Sequence, residues 1–257
     1  MKQDEKRKYL ITELLKEHPE YADICIPKDE IAQKKLLRAL FNVRLPLLIG
    51  DEFLRVQDEY LQEEITQKGI TSTDDLDPVK PDMYLWQGDI TTLKCDAIVN
   101  AANSKMLGCF CPNHGCIDNA IHTFSGVQLR LKCAEIMQKQ GKTEEIGKAK
   151  ITPAYNLPCK YILHTVGPII TGKLTEKDCE LLGSCYHSCL MLADEYKLNS
   201  IAFCCISTGE FHFPNEIAAK IAIETVSKYK KMTKSKIKVI FNVFKNSDYA
   251  IYREYLG

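Results

Sequence analysis

A chain of 257 residues with 45% hydrophobic and 26% charged side chains has enough apolar surface for a substantial core and for one or two domains. Its 34 basic residues balance 34 acidic ones, so there is no global positive field, and neither a nucleic-acid nor a membrane partner is expected. No apolar run reaches the roughly 18 to 20 residues of a membrane-spanning helix, and Met1 to Arg7 leads into a charged helix instead of an apolar signal core, so the sequence reads as cytoplasmic.

Residues 1 to 80 read as helical. Tyr9, Leu10 and Leu14 precede His18-Pro19, and Ile31, Leu36, Leu37 and Leu40 follow Pro27 at three and four spacing. A third helix is expected over Asp51 to Lys68. Turn formers and acids from Gly69 to Pro78 then suggest a linker or long surface connection, with a boundary near residue 80.

From Met83 the rhythm changes to short apolar runs: Met83–Trp86, Ala97–Asn100, Ala149–Thr152, Tyr161–Val166, Ser200–Ile206 and Lys238–Phe244. Helices are expected over Asp118–Gln138, Glu176–Tyr196, Pro214–Lys230 and Ser247–Tyr255. This alternation indicates an α/β domain with helices covering both faces of a central sheet. Several of the twelve cysteines, Cys133, Cys159, Cys185, Cys189, Cys204 and Cys205, fall inside these apolar patterns and read as reduced core side chains.

Four stretches carry candidate chemistry. Ser207-Thr-Gly209 follows an apolar strand and precedes Pro214, so it is either an ordinary turn or a loop offering N–H groups to a phosphate. Asp89, in Gln87-Gly-Asp-Ile90, can cap a helix or accept hydrogen bonds from an amine. Asn100 and Asn103 end a strand and suit either a turn or a sugar hydroxyl. Leu107 to Asp118 packs Cys109, Cys111, His114 and Cys116 within eight residues, a donor set suited to zinc in a reducing compartment. Two thiolates and one imidazole would leave a coordination position open, as in catalytic zinc sites.

Together, Gly88-Asp89-Ile90, Val99-Asn-Ala-Ala-Asn103, Cys116-Ile-Asp-Asn-Ala-Ile-His122, Tyr161-Ile-Leu-His-Thr-Val-Gly167 and Ile206-Ser-Thr-Gly-Glu-Phe-His-Phe-Pro214 resemble the macrodomain family, in the same order. The resemblance spans roughly residues 83 to 256. It implies a three-layer α/β/α fold with a mixed central sheet over 81–257, preceded by an N-terminal helical region over 1–80. The cysteine-histidine insertion is similar to the zinc-containing branch, microbial enzymes that remove mono-ADP-ribose from modified proteins and reverse sirtuin-type ADP-ribosylation of a lipoyl-carrier protein.

Carried over by position, the resemblance assigns Asp89 and the N–H of Ile90 to adenine, and Asn103 to the distal ribose. Asp118 becomes the general-base candidate, with Asn103 beside it in the catalytic set. Ser207, Thr208, Gly209, Glu210 and Phe211 would wrap the diphosphate, and Phe244 would stack on adenine. Cys109, His114 and Cys116 match the ligand spacing for one zinc ion per chain, leaving Cys111 as a spare thiol or a fourth ligand. His122 and His164 read as core or supporting residues, while His212 could face either way. The resemblance also allows a non-catalytic ADP-ribose-binding module in which zinc is structural, because one fold hosts both behaviours.

Overall fold

In the computed structural model, which describes residues 1–21 and 23–257, the N-terminal region forms three helices. These are α1 (Gln3–Lys16), α2 (Glu30–Val43) and α3 (Asp51–Lys68). Asp29 caps α2, its Oδ2 accepting the Ala32 N–H at 2.7 Å, which satisfies one of the free donors of the first turn. The apolar stripes meet in a cluster of Leu10, Leu14, Leu37, Phe41, Phe53 and Leu61, all buried. Burying side chains of this size contributes about 1.5–3 kcal/mol each, which is what holds short helices together.

The stretch expected as a linker is structured. β1 (Thr71–Ser72) pairs in parallel with β4 (Leu93–Lys94), and β2 (Pro78–Lys80) is an antiparallel edge strand on β3 (Met83–Gln87). Pro78 stands at the first position of that edge strand, where its missing N–H breaks no central ladder.

The main sheet has seven strands in the order β2-β3-β9-β8-β5-β7-β6, with β5 (Ala97–Ala102), β6 (Ala149–Pro153), β7 (Tyr161–Val166), β8 (Ser200–Phe203) and β9 (Lys238–Val243). β3, β9, β8, β5 and β7 run parallel; β2 and β6 are antiparallel edges. The sheet is therefore mixed, and the three-layer architecture implied by the sequence is present. The central strands are buried on both faces, so they read as continuous apolar runs. α6 (Glu176–Glu195), α7 (Asn215–Thr233) and α8 (Asn246–Leu256) form one flanking layer. α4 (Ile117–Ser125) and α5 (Val127–Gln140) belong to the other, where α4 packs on β5 and α2.

One expected helix over Asp118–Gln138 is two. Gly126 has φ of +96°, a left-handed conformation that ends α4 and restarts the chain as α5. A Cβ there would lie 2.6 Å from Gln57 Nε2 and Gln128 Oε1, so the break is packed by polar side chains from α3 and α5. β8 is also shorter than expected, because the chain leaves the sheet after Phe203.

All twelve cysteines are free, and Cys133, Cys159, Cys185, Cys189 and Cys204 are buried while Cys205 is half-buried. Burial pushes the Cys133, Cys159 and Cys204 thiols up to about 12, so they stay protonated core groups. Among the described residues no helix is long and apolar enough to cross a membrane.

Candidate active site

Because five neighbouring strands are parallel, their carboxyl ends share one edge of the sheet, the place where open α/β sheets gather ligands. Asp89 and Ile90 follow β3, Asn103 follows β5, Ser207 to Phe211 follow β8, and Phe244 follows β9. The fold thus gathers residues that lie far apart in the chain.

Asp89 caps a short 3-10 turn, its Oδ1 accepting the Thr91 N–H at 3.0 Å and the Thr91 hydroxyl at 2.6 Å. Lys68, at the end of α3, donates to its Oδ2 at 3.0 Å. Burial alone would raise the Asp89 carboxyl, but the Thr91 and Lys68 contacts outweigh it and hold it below the ordinary carboxylate range. The capping role and an exposed, anionic Oδ2 therefore coexist. Ile90 buries its side chain as the first residue of the turn. Phe244 is 75% exposed at the rim.

After β8 the chain turns sharply. Ser207 and His212 hold φ of +64° and +55°. The Phe213 N–H donates to Ser207 O at 2.9 Å and the His212 N–H to Gly209 O at 3.0 Å, closing the loop. Among the described residues, the N–H groups of Ser207, Gly209, Glu210 and Phe211 donate to no backbone carbonyl, and the buried Ser207 Oγ has no hydrogen-bond partner. Consecutive free donors of this kind suit a phosphate. His212 is exposed.

The candidate reacting end is built on α4. Cys116 is its N-cap, and Asp118 stands on its first turn, 5% exposed. Asp118 Oδ1 accepts from Asn100 Nδ2 at 2.7 Å, and Oδ2 from Asn103 Nδ2 at 3.3 Å. Asn103 also donates to Gly108 O at 3.0 Å and accepts the Lys105 N–H at 3.0 Å, so it makes a turn and touches the carboxylate at once. Asn100 is fully buried and not at the surface where a sugar could reach it. Its Nδ2 bridges Asp118 and His164 Nδ1 at 3.2 Å, and His164 Nε2 meets Thr152 Oγ1 at 2.9 Å. Burial pushes Asp118 up to about 6 against the pull of Asn100, Arg130 and Asn103.

His122 Nε2 lies 3.6 Å from Asp118 Oδ1, yet neither ring nitrogen makes a hydrogen bond. Burial, then Arg130 and His164, holds the ring well below its usual range and hence neutral, so this contact is not an ion pair. Gly108, with φ of +78°, lets the loop lie directly on that ring; a Cβ would come within 2.7 Å of His122 Cγ. His122, Cys133 and His164 also cluster, but both His164 nitrogens are already engaged by Asn100 and Thr152.

Cys109, His114 and Cys116 bring three donor atoms within 4.8 Å of one another, with Cys109 Sγ 3.5 Å from His114 Nδ1. Burial, then the neighbouring Cys109 and Asp118, raises the Cys116 thiol well above its usual range despite the Asn119 N–H it accepts. A bound cation would offset that cost. His114 Nε2 stands 3.5 Å from Glu210 Oε1, the carboxylate-on-imidazole arrangement that orients metal-binding histidines. The donor set therefore fits zinc. Cys111 is exposed and outside the cluster.

Sequence reasoning overlooked Arg130, which ties the site to its surroundings. Its Nε donates to Leu107 O at 2.7 Å, its Nη1 to the Phe41 and Arg44 carbonyls, and Phe110 lies 4.3 Å over its guanidinium. Nothing in the local sequence marks this residue, since its partners come from other elements.

The Macro domain family model matches residues 99–222. Over 261 aligned residues, covering 100% of both chains, the sequence is 59% identical to the protein-ADP-ribose hydrolase of Treponema medium. The chain belongs to the macrodomain family. This macrodomain is also 52% identical to the protein-ADP-ribose hydrolase of Staphylococcus aureus, over 96% of this chain and 93% of that one. Among solved structures, the Trypanosoma brucei macrodomain in complex with ADP-ribose superposes with a TM-score of 0.67 at 29% identity, covering 86% of this chain and 95% of that one. The Oceanobacillus iheyensis macrodomain with ADP gives 0.63 at 34% identity, covering 70% and 93%.

Proposed function

We propose that this macrodomain is a zinc-assisted hydrolase that releases mono-ADP-ribose from modified proteins by cleavage at C1 of the distal ribose. The observation that carries the reading is the placement of Asp118. A buried carboxylate clamped by two asparagine amides stands in the first turn of α4, two residues after Cys116, itself one of three clustered candidate metal donors, at the sheet edge that also presents free N–H groups suited to a diphosphate. The relatives in Treponema and Staphylococcus, named protein-ADP-ribose hydrolases, support it.

Binding comes first. The amides of Ser207, Gly209, Glu210 and Phe211 hold the diphosphate in a loop that Thr208 ties back to Cys205 O, Asp89 and the Ile90 N–H receive adenine, and Phe244 closes over its ring. Asn103 orients a hydroxyl of the distal ribose. Water then attacks C1, the bond to the protein's oxygen breaks, Asp118 accepts the water's proton, and a proton returns to the departing side chain, leaving ADP-ribose and free protein. Cys109, His114 and Cys116 would hold the zinc, which would supply Lewis-acid chemistry. The reading extends to proteins modified by a sirtuin-type ADP-ribosyltransferase, such as a lipoyl carrier, on the strength of the motif resemblance.

The test is zinc stoichiometry alongside ADP-ribose release from a mono-ADP-ribosylated protein, before and after chelation, for wild type and Cys116→Ser. One zinc per wild-type chain, with zinc and release lost together and ADP-ribose binding retained, is the expected result. Bound zinc and tight ADP-ribose binding without release from any modified protein would make this a binding module with a structural metal.

A further inference from the structure

From Asn103 to Cys116 the chain has no regular secondary structure, and Cys111, Pro112, Asn113 and Gly115 are exposed. A loop of this kind is fixed by whatever its polar groups bond to. Here much of that anchorage comes from α2, 71 to 81 residues away in sequence.

Arg38 Nη2 donates to His114 O at 3.0 Å. Its Nε and Nη2 also converge on Asn119 Oδ1 at 3.1 and 2.8 Å. Asn119 passes the hold onward: its Nδ2 donates to Cys111 O at 3.0 Å, and its backbone N–H donates to Cys116 Sγ at 3.4 Å. One turn along α2, Asn42 Oδ1 accepts the Asn113 N–H at 2.9 Å, and Asn42 Nδ2 donates to Thr123 Oγ1 at 3.0 Å. Asn113 holds φ of +55°, a conformation that a non-glycine residue keeps when its surroundings over-determine it.

Arg38 and Asn42 are four residues apart and share one face of the helix. Leu37, Leu40 and Phe41 are buried in the cluster with α1 and α3. α2 therefore has an apolar face seated in the helical region and a polar face turned on the loop. The bonds reach the backbone of His114 and of Asn113, through Asn119 the backbone of Cys111 and the Cys116 thiol, and the helix that carries Asp118.

We propose that Arg38 and Asn42 are positioning residues for the reaction, through which the N-terminal helices hold Cys109, His114 and Cys116 in fixed relation to Asp118. The metal part of this inference rests on the reading of those three residues as zinc donors. Groups that orient metal ligands from outside typically change metal affinity or activity 10- to 100-fold when removed.

The test compares Arg38→Ala, Asn42→Ala and Arg38→Lys with Arg55→Ala, which breaks only an exposed pair with Glu59 on α3. Three quantities are read: the rate of zinc loss to a chelator, the visible spectrum of the cobalt-substituted protein, and kcat against KM for release. In Arg38→Ala, zinc loss should accelerate roughly 10- to 100-fold, the cobalt bands should shift, and kcat should fall by about tenfold or more with KM within about threefold. Arg38→Lys should recover part of each change, and Arg55→Ala should match wild type. Wild-type zinc loss, spectrum and kcat in Arg38→Ala would overturn the proposal. If Arg38→Ala fails to fold, Arg38→Lys carries the same comparison. A wild-type protein that binds neither zinc nor cobalt would remove the zinc reading alone. Amide hydrogen exchange over residues 109–119 then decides the positioning role, since faster exchange in the variants supports the clamp and unchanged exchange refutes it.

Discussion

Replacing Asp118 by asparagine preserves shape and removes charge, which separates the carboxylate's chemistry from its packing. In the native site, Oδ1 and Oδ2 each accept one amide, from Asn100 at 2.7 Å and Asn103 at 3.3 Å. Asparagine has one oxygen, so if it keeps the shorter bond its NH2 faces the NH2 of Asn103, and one hydrogen bond worth about 1 kcal/mol is lost. Asn103 retains Gly108 O at 3.0 Å and stays near its place. For a chain of this size, 1 kcal/mol corresponds to about 2–4 °C in melting temperature. The midpoint should therefore fall by no more than about 4 °C. Turnover should fall far more, because an amide cannot take a proton from water: loss of a general base costs about 10²- to 10⁴-fold. At 1.36 kcal/mol per decade, that is about 3–5 kcal/mol of transition-state stabilisation. Single-turnover release from a modified protein, calorimetric ADP-ribose binding and a thermal melt read the three quantities separately. Release within about fivefold of wild type in a folded protein would refute Asp118 as the base. A melting temperature lowered by more than about 10 °C would show that its main task is structural.

Other positions give independent checks. Asp96 accepts the Asn199 N–H at 2.6 Å and Lys160 Nζ at 2.8 Å; burial pushes its carboxyl up, but these donors outweigh it and hold it below its ordinary range. A depressed folded pKa gives stability that is complete above the unfolded value near 3.9 and lost as pH falls through the folded value. Asp96→Asn should thus cost about 1–2 kcal/mol in urea unfolding at pH 7 and progressively less as pH falls below about 4, and a loss independent of pH would contradict this account. Gly126→Ala should destabilise by about 2–3 kcal/mol, combining the left-handed penalty with the displaced Gln57 and Gln128 amides; an unchanged melting temperature would show that the break between α4 and α5 can relax. Phe244→Ala, at a 75% exposed position, should leave stability within about 0.5 kcal/mol. It should weaken ADP-ribose binding about three- to tenfold if the ring stacks on adenine, and an unchanged Kd would take Phe244 out of the site.

The central strands were legible because burial on both faces writes them as unbroken apolar runs, and β7 occupies Tyr161–Val166 as that pattern indicates. The breaks were harder to read. Gly126 sits inside a pattern helical on both sides, and only the packing of Gln57 and Gln128 around it shows that the chain must turn. β1 and β2 are two and three residues long, below the length at which any alternation can be recognised. At the site, the short loop already marked Cys109, Cys111, His114 and Cys116 as candidates to meet, and the family resemblance singled out Cys109, His114 and Cys116, the three that cluster. Asn100 was read as a partner of Asn103 at the strand end, yet strand geometry sends it inward to Asp118 and His164. Arg38 carries no local signature, because its work is defined by Asn119, 81 residues later.

The three N-terminal helices keep an apolar cluster of their own, and Phe124 on α4 packs against both this cluster and that of the sheet. Local opening of these helices would reach the loop of Cys109, His114 and Cys116 through Arg38 and Asn42, and it would reach Asp89 through Lys68. The helical region is thus a shared brace for two ends of the candidate site that the sheet alone leaves apart.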